Sequence, residues 1–415
     1  MIRVAMFVVL AATLLMPLSM FGDDADKIVT IDHFVPHTST VPANAGDVVQ
    51  LFVRERFRRD DDDRGPREPR KAVLMVHGRS VPMLPGMDLR HDDYSWAFRL
   101  AKAGFDVFML DFQGSGLSSR PKMDDPCNAN PAQRSILTPN PLSVSCPGPA
   151  ATYQAQLINS GSDWDELDTV VDYIRENRGV DKVALVSWSE GAFRIGPYSI
   201  LHPDKVESAL FFAPIFNPGG RASKAGTRFD APVSLPVTSP AAQFGFPMTL
   251  TTKAALISSW NNDLQCEGQR EEGIQDVIWS SIMDNDTLGR TWGPVLPDGS
   301  VEGVMRVRNP FLWGWNSNTV PLDGTLGGSV PVLIIYGELD TQVAAPPFSV
   351  PALYSAISGE RKLMFKVACA GHFMVWENQR RVLHHISKQW LKHGAVEGFT
   401  AGSFLVDTEG TILPQ

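Results

Sequence analysis

Clustered cysteines, internal repeats and long apolar runs are all missing from this chain of 415 residues. The four cysteines form neither a Cys-x-x-Cys pair nor a Cys/His cluster, which argues against a zinc site. Basic side chains number 37 and acidic ones 46. The resulting net charge of −9 argues against a nucleic acid or an anionic membrane surface as the main partner. Length and composition fit two or three globular domains, or one large domain with an insertion.

The main apolar run lies at the N-terminus. Residues 4–15 are almost all apolar or small, with Arg3 before them and Pro17 and Asp23 after them. This run is too short to cross roughly 30 Å of hydrocarbon. The layout predicts a signal peptide over residues 1–22 and a secreted or periplasmic protein with no membrane span in the mature chain. The small-x-small cleavage site is weak, so a retained N-terminal anchor is the alternative.

Two of the cysteines bracket a segment with little periodicity. Cys127 and Cys146 enclose a stretch rich in Pro, Asn and Ser, within an insertion predicted over residues 121–150. A disulfide between them would contribute roughly 3 kcal/mol by restricting the unfolded chain. An oxidising compartment would favour that bond, whereas a cytosolic protein would keep two free thiols.

Short apolar segments alternate with amphipathic ones along much of the chain. A polar lead-in is expected over residues 23–47, and a strand with one exposed face over residues 48–57. Strands buried on both faces are predicted at 71–78, 106–112, 183–189, 208–216, 330–337 and 362–371. Helices are predicted near 93–103, 162–178 and 375–392. The second would be capped by Ser162 or Asp163. This alternation indicates an α/β fold with a mostly parallel central sheet and helices on both faces.

The alternation fails over residues 217–329, which are rich in Trp, Gly, Pro and Asn. We predict a large cap there, inserted into a core formed by residues 23–216 and 330–415. Residues 400–415 predict a C-terminal hairpin. The cap's tryptophans would line an apolar pocket or form the cap's own core: Trp260, Trp279, Trp292, Trp313 and Trp315.

A serine stands where a buried strand turns into a helix. Ser189 is flanked two positions away by Ser187 and Gly191. A nucleophile on a tight strand-to-helix turn needs small residues at both places, and the usual pattern has glycine where Ser187 stands. The N-terminus of the following helix favours negative charge beside the hydroxyl. Ser189 is therefore the predicted nucleophile.

The loop after the first buried strand predicts an oxyanion hole. His77 and Gly78 end that strand, and a turn there places backbone N–H groups beside the nucleophile. The expected donors are the N–H groups of Arg79 and Glu190, with Ser80 as the alternative to Arg79. The imidazole of His77 is expected to be structural.

An acid and a base follow the last two buried strands. Asp340 comes directly after one strand, where a carboxylate can orient a histidine, and Glu338 is the alternative. His372 lies on the loop after the other strand, where a base can reach both partners. Surface positions are expected for the other histidines of the last helix: His384, His385 and His393.

The order Ser189, Asp340, His372, each at a strand end, resembles the α/β-hydrolase superfamily, whose triads run serine, acid, histidine. The turn over residues 111–116 also resembles that family, in which it is structural. The resemblance covers about 71–216 and 330–392, and it implies an α/β-hydrolase fold.

The resemblance also implies a reaction through an acyl-enzyme on Ser189, with no metal or organic cofactor. His372 would take the serine proton, Asp340 would hold the imidazole, and water would release the acyl group. A serine at this turn argues against dehalogenase and epoxide-hydrolase relatives, which use aspartate there. A small carboxylic ester is the expected substrate. An amide or peptide substrate, or a binding protein without catalysis, are the alternatives.

Two further points stay open in the sequence. The carboxylate of Glu190 would bind a substrate amine, as in aminopeptidase-like relatives, or would face away under the favourable helix dipole. A disulfide between Cys266 and Cys369 would hold the cap beside the loop of His372.

Overall fold

The structure, a computed structural model, describes residues 27–59, 70–146, 157–224, 227–230, 246–344 and 346–415. The predicted signal peptide, residues 1–22, lies outside the described residues, as do residues 147–150 of the predicted insertion.

The described strands follow one another along the chain as β1 (Ile28–Thr38), β2 (Val48–Arg58), β3 (Ala72–Val76), β4 (Asp106–Asp111), β5 (Ile158–Asn159), β6 (Val183–Trp188), β7 (Val206–Phe212), β8 (Met248–Thr251), β9 (Met305–Arg308), β10 (Pro310–Phe311), β11 (Val332–Gly337), β12 (Lys362–Val367), β13 (Gly402–Val406) and β14 (Ile412–Pro414). The described α-helices are α1 (Met83–Met87), α2 (Trp96–Lys102), α3 (Ser160–Arg178), α4 (Ala192–Leu201), α5 (Lys253–Asn261), α6 (Ile274–Asp284), α7 (Val350–Ala356) and α8 (Arg380–His393).

Ten of these strands form the central sheet, in the order β1-β2-β4-β3-β6-β7-β11-β12-β13-β14. Neighbours from β4 to β13 are parallel, and the outer pairs at both ends are antiparallel. The six strands predicted to be buried on both faces are present as β3, β4, β6, β7, β11 and β12. The expectation of a mostly parallel sheet is thereby confirmed.

The two faces of the sheet bury separate hydrophobic clusters, because successive side chains of a strand point to opposite sides. In β3, Val73 and Met75 join one cluster, whereas Leu74 and Val76 join the other. The first cluster includes residues of α1, α2, α5, α6 and α8, and the second includes residues of α3, α4 and α7. The sheet is therefore held between helices on both faces, as predicted.

The strand β1 corrects the expectation of a polar lead-in. It pairs with β2 over its whole length at the edge of the sheet. Its polar residues find partners there: the imidazole of His33 lies 3.0 Å from a carboxylate oxygen of Glu55 and 2.9 Å from the hydroxyl of Tyr173. Partners from other elements cannot be recognised in the local sequence, so the segment resembles a loop.

The starts of α3 and α8, the two longest of the described helices, differ from the predictions. The cap of α3 is Asn159, whose side chain accepts the N–H of Ser162, while the Ser162 hydroxyl accepts the N–H of Asn159. Ser162 and Asp163, the predicted caps, are thus first-turn residues of a capping box. The last helix begins at Arg380 rather than 375, because Met374–Trp376 form a separate 3₁₀ turn.

One histidine of that last helix is not at the surface. His384 is buried and its ring stacks on Trp96. Burial lowers the pKa of His384 to about 3, so the expectation of a surface position is wrong for this residue.

The segment predicted to be a cap, residues 217–329, lies between β7 and β11. In it β8 and β9 form a separate antiparallel pair, and α5 and α6 contribute to the core of the whole molecule. Trp313 and Trp315 belong to the cluster beneath α3 and α4. The cap's tryptophans thus pack largely into the common core, rather than into a core of the cap alone.

Both predicted cysteine pairs are disulfide-bonded, Cys127 with Cys146 and Cys266 with Cys369. The second bond joins the segment after α5 to the loop after β12. Among the described residues, no helix is long and apolar enough to cross a membrane.

Candidate active site

Ser189 sits on a strained turn between β6 and α4. Its φ of 56° lies in the left-handed region, which is costly for a residue with a side chain. A Cβ on Gly191 would lie 2.9 Å from the carbonyl oxygen of His77 and 3.0 Å from Cβ of Ser187. Small residues around Ser189 are therefore required by close backbone approach, as the sequence pattern indicates.

The structure brings the predicted base and acid to Ser189. The hydroxyl of Ser189 lies 2.9 Å from Nε2 of His372, and Nδ1 of His372 lies 2.8 Å from a carboxylate oxygen of Asp340. All three side chains are buried. Such a chain can move a proton from the hydroxyl to the imidazole while the carboxylate stabilises the charge that forms.

The carboxylate of Asp340 is fixed by its own loop. Its second oxygen accepts the N–H groups of Gln342 and Val343 at 3.0 and 3.2 Å. Glu338, the alternative acid, is exposed. The geometry thus favours Asp340.

Arg79 and Glu190, which carry the two predicted oxyanion donors, line the same cavity as Ser189. Gly78, the residue before Arg79, packs so closely that an added Cβ would lie 3.1 Å from Cβ of Ser189. Glu190 stands in the first turn of a 3₁₀ segment, where an N–H has no acceptor within the helix. Ser80 lines the same cavity, so the alternative donor is also nearby.

A cavity of about 610 Å³ opens above Ser189 and His372. Its walls are largely apolar and come from both the core and the segment 217–329. They include Val81, Ile215, Leu256, Met305 and Phe348. None of the five tryptophans of the segment 217–329 lies in this wall, so they do not form an acyl pocket at this cavity.

Comparisons with known proteins agree with this architecture. The sequence profile of a family described as alpha/beta hydrolase fold matches residues 71–379. The chain belongs to the α/β-hydrolase family. The predicted fold class is thereby confirmed.

Several solved α/β hydrolases resemble this chain at low sequence identity. Carboxylesterase CesB from Bacillus subtilis is 13% identical, with a TM-score of 0.47 over 88% of this chain and 93% of that one. A thermophilic esterase from Thermogutta terrifontis is 14% identical, with a TM-score of 0.42 over 87% and 98%. A 2-hydroxy-6-oxo-6-phenylhexa-2,4-dienoate hydrolase from Rhodococcus sp. strain RHA1 is 13% identical, with a TM-score of 0.43 over 85% and 96%. No curated protein matches in sequence.

This α/β hydrolase also contains a buried charge network that the sequence analysis missed. Arg194 is fully buried, and its guanidinium donates to the carbonyl oxygens of His77 and Gly78 at 2.5 and 3.1 Å. It also donates to Asp163, which is in turn bonded by Arg308. The network lies directly behind the loop that carries Arg79, one of the two candidate oxyanion donors.

The imidazole of His77 supports the same loop. Its Nδ1 lies 2.6 Å from the carbonyl oxygen of Gly78, and its Nε2 accepts the N–H of Phe112 at 3.3 Å. Burial, with Arg194 and Arg308 nearby, holds the pKa of His77 well below its usual value. These contacts agree with the expectation from the sequence that the imidazole is structural.

Glu190 is one of the residues that line the cavity of this hydrolase. Its side chain is 13% exposed, and a carboxylate oxygen lies 3.5 Å from the guanidinium of Arg194. The charge of its carboxylate is balanced in part by Arg194. Both interpretations of Glu190 from the sequence, binding a substrate amine and facing away from the site, therefore stay predictions.

The loop of His372 is anchored by residues that carry no local motif. The indole N–H of Trp188 donates to the carbonyl oxygen of His372 at 3.0 Å. The carboxylate of Glu377 accepts the N–H of Gly371 and the indole N–H of Trp260, both at 2.8 Å. Burial raises the pKa of Glu377 to about 6.

In the described part of the chain, no group of three or more His, Cys, Asp or Glu side chains is arranged to hold a metal.

Proposed function

We propose that this α/β hydrolase is an exported serine hydrolase that cleaves a small carboxylic ester through an acyl-enzyme on Ser189. One observation carries the proposal. The hydroxyl of Ser189, the imidazole of His372 and the carboxylate of Asp340 form a continuous hydrogen-bonded chain at a mainly apolar cavity.

In this reaction, His372 accepts the hydroxyl proton while Ser189 attacks the ester carbonyl. Asp340 holds the imidazole and stabilises its positive form. The N–H groups of Arg79 and Glu190 bind the oxyanion. His372 then protonates the leaving alcohol, and water, activated by the same imidazole, releases the acid.

The segment 217–329 acts as the cap in this proposal. Leu256 and Met305 place its apolar side chains over the nucleophile, so they would contact the acyl or alcohol part of the substrate. Two disulfides support an oxidising compartment, in keeping with export.

A second candidate substrate class is an amide or peptide with a free amine. The observation in its favour is the position of Glu190, an acidic residue that lines the cavity beside Ser189. The partial pairing of that carboxylate with Arg194 weakens its attraction for an amine, so the ester is preferred.

Hydrolysis of short- and long-chain nitrophenyl esters by the mature protein, beside Ser189→Ala, tests the proposal. We expect wild-type turnover and a roughly 10⁴- to 10⁶-fold loss in the variant. If the wild type and Ser189→Ala are both folded and equally inactive, the ester proposal is wrong.

The two substrate classes are separated by paired aminoacyl nitroanilides, one with a free amine and one acetylated. An amine-binding role for Glu190 predicts a preference for the free amine that disappears in Glu190→Gln. Equal rates on both compounds, with faster ester cleavage, would leave the ester as the substrate class.

A further inference from the structure

Asp263 is a fully buried carboxylate that the proposed mechanism does not use. It lies just after α5, in the segment 217–329. One carboxylate oxygen accepts the N–H and the hydroxyl of Thr341 at 3.1 and 2.6 Å. The other accepts the N–H of His372 at 2.8 Å. A single side chain therefore binds the residue after Asp340 and the candidate base itself.

The approach of Asp263 to the loop of His372 depends on a glycine. A Cβ on Gly371 would lie 2.4 Å from Cβ of Asp263 and 2.8 Å from its carboxylate oxygen. Any side chain at position 371 would displace the carboxylate from the N–H of His372. The close contact thus requires both the carboxylate of Asp263 and the absence of a side chain at Gly371.

The backbone of Asp263 is held in place independently. Its carbonyl oxygen accepts the side-chain amide of Gln269 at 3.0 Å, and the same amide donates to Glu377 at 3.0 Å. The disulfide between Cys266 and Cys369 joins the same two segments. Asp263 is therefore held firmly between the two segments, unlike a mobile acid at the surface.

We propose that Asp263 is a positioning residue that sets the separation between Asp340 and His372, an inference that rests on the proposed function. The acid and the base lie on loops after different strands, β11 and β12. Each loop has its own freedom, and a hydrogen bond between their side chains needs both to be placed correctly. Asp263 binds both loops by their backbones, and hydrogen bonds to a charged acceptor are the stronger kind.

Asp263→Asn tests this role with almost no change in size. An asparagine has one acceptor oxygen, so it cannot serve Thr341 and His372 together. We expect kcat on the nitrophenyl ester to fall about 10- to 100-fold, because small misplacements of catalytic groups have effects of that order. KM should change by less than about 3-fold, because Asp263 does not line the cavity.

Two further variants define how the effect is transmitted. Thr341→Val removes one of the hydrogen bonds to Asp263 and should lower kcat by about 3- to 10-fold. The kcat of the double variant should be no lower than that of Asp263→Asn alone, because both changes remove hydrogen bonds of the same carboxylate. Asp276→Asn is the matched control, an exposed acid of the same segment that pairs with Lys253, and should keep the wild-type kcat.

A readout without substrate separates this inference from the proposed function. The proton shared by Nδ1 of His372 and Asp340 should give a far-downfield proton NMR signal that is absent in Asp340→Asn. In Asp263→Asn we expect the signal to move upfield or broaden beyond detection. Absence of ester hydrolysis by the wild type would count against the proposed function, while the signal would still decide the role of Asp263.

Three outcomes would overturn the inference. One is a folded Asp263→Asn with wild-type kcat and an unchanged signal. Another is a loss confined to KM with an unchanged signal, which would make Asp263 a residue that shapes the cavity. If Asp263→Asn does not fold, an unchanged kcat and signal in Thr341→Val would be the third.

Discussion

The carbonyl oxygen of Gly78 is held from behind by two donors, His77 and Arg194. This carbonyl and the N–H of Arg79 belong to one planar trans peptide group, so they point in opposite directions. Fixing the carbonyl therefore fixes the candidate oxyanion donor. At the scale of a single residue, a buried guanidinium orients a group that it does not touch.

Arg194→Lys should lower kcat for ester hydrolysis by up to about 100-fold, in line with the effect of losing one oxyanion donor. A lysine keeps the positive charge but cannot reproduce the planar fork that binds Asp163 and the two carbonyl oxygens. Affinity for a boronic acid that mimics the tetrahedral intermediate should fall by a similar factor. Arg175→Lys serves as the control, because Arg175 is a half-buried arginine of α3 that does not line the cavity. Wild-type kcat in Arg194→Lys would show that the loop needs no support from the guanidinium.

At the scale of the elements, the two disulfides have different relations to the site. The bond between Cys266 and Cys369 ends three residues before His372 and spans 103 residues of sequence. The bond between Cys127 and Cys146 spans 19 residues, and neither of its cysteines lines the cavity. Both constrain the unfolded chain, whereas only the first holds the loop of the candidate base.

Paired serine substitutions should separate these roles. Replacing Cys266 and Cys369 should lower both the free energy of unfolding, by roughly 3–5 kcal/mol, and kcat. Replacing Cys127 and Cys146 should lower the free energy of unfolding by roughly 3 kcal/mol and leave kcat unchanged. Urea titration and ester hydrolysis, both far below the unfolding temperatures, measure the two effects. A similar loss of kcat in both pairs would contradict the assignment.

Some elements of the structure, and some residues of the candidate site, can be predicted from the sequence, and others cannot. The strands of the inner sheet are recognisable because continuous apolar runs signal burial on both faces. Ser189, Asp340 and His372 are recognisable because each directly follows such a run. Asp263 has no local signal, since it acts on His372 across 109 residues of sequence. A half-exposed edge strand such as β1 was missed for the same reason, because its polar side chains are explained only by partners from other elements.

At the scale of the whole molecule, one buried carboxyl couples folding to pH. Glu166 is fully buried and accepts the backbone N–H of Gln113 at 2.8 Å. Burial and the neighbouring Asp163 raise the pKa of Glu166 to about 8, from 4.5. The folded protein therefore retains a proton that the unfolded chain releases. The stabilisation is complete below about pH 4.5 and is lost as the pH rises towards 8, by at most about 1.4 kcal/mol per pH unit.

Glu166→Gln should remove this component, because an amide needs no proton to be neutral. Relative to wild type, the free energy of unfolding of the variant should rise steadily from pH 5 to pH 8. Glu377, with its pKa raised to about 6, contributes in the same direction to both proteins and cancels in the difference. Urea titrations at each pH measure that difference. Glu176 is an exposed acid on α3, and for the control variant Glu176→Gln this difference should not change with pH. A difference that does not change with pH for Glu166→Gln would contradict the prediction.

The order of strands in the central sheet has a consequence for synthesis. The first six strands of the sheet in sequence, β1 to β4, β6 and β7, are neighbours in the sheet, and β11 to β14 add one after another at the free edge of β7. A chain leaving the ribosome N-terminus first can therefore assemble six of the ten strands before the segment 217–329 exists. Ser189 belongs to that early part, whereas Asp340 and His372 arrive with β11 and β12. A nascent chain thus carries the serine without its base until synthesis is nearly complete.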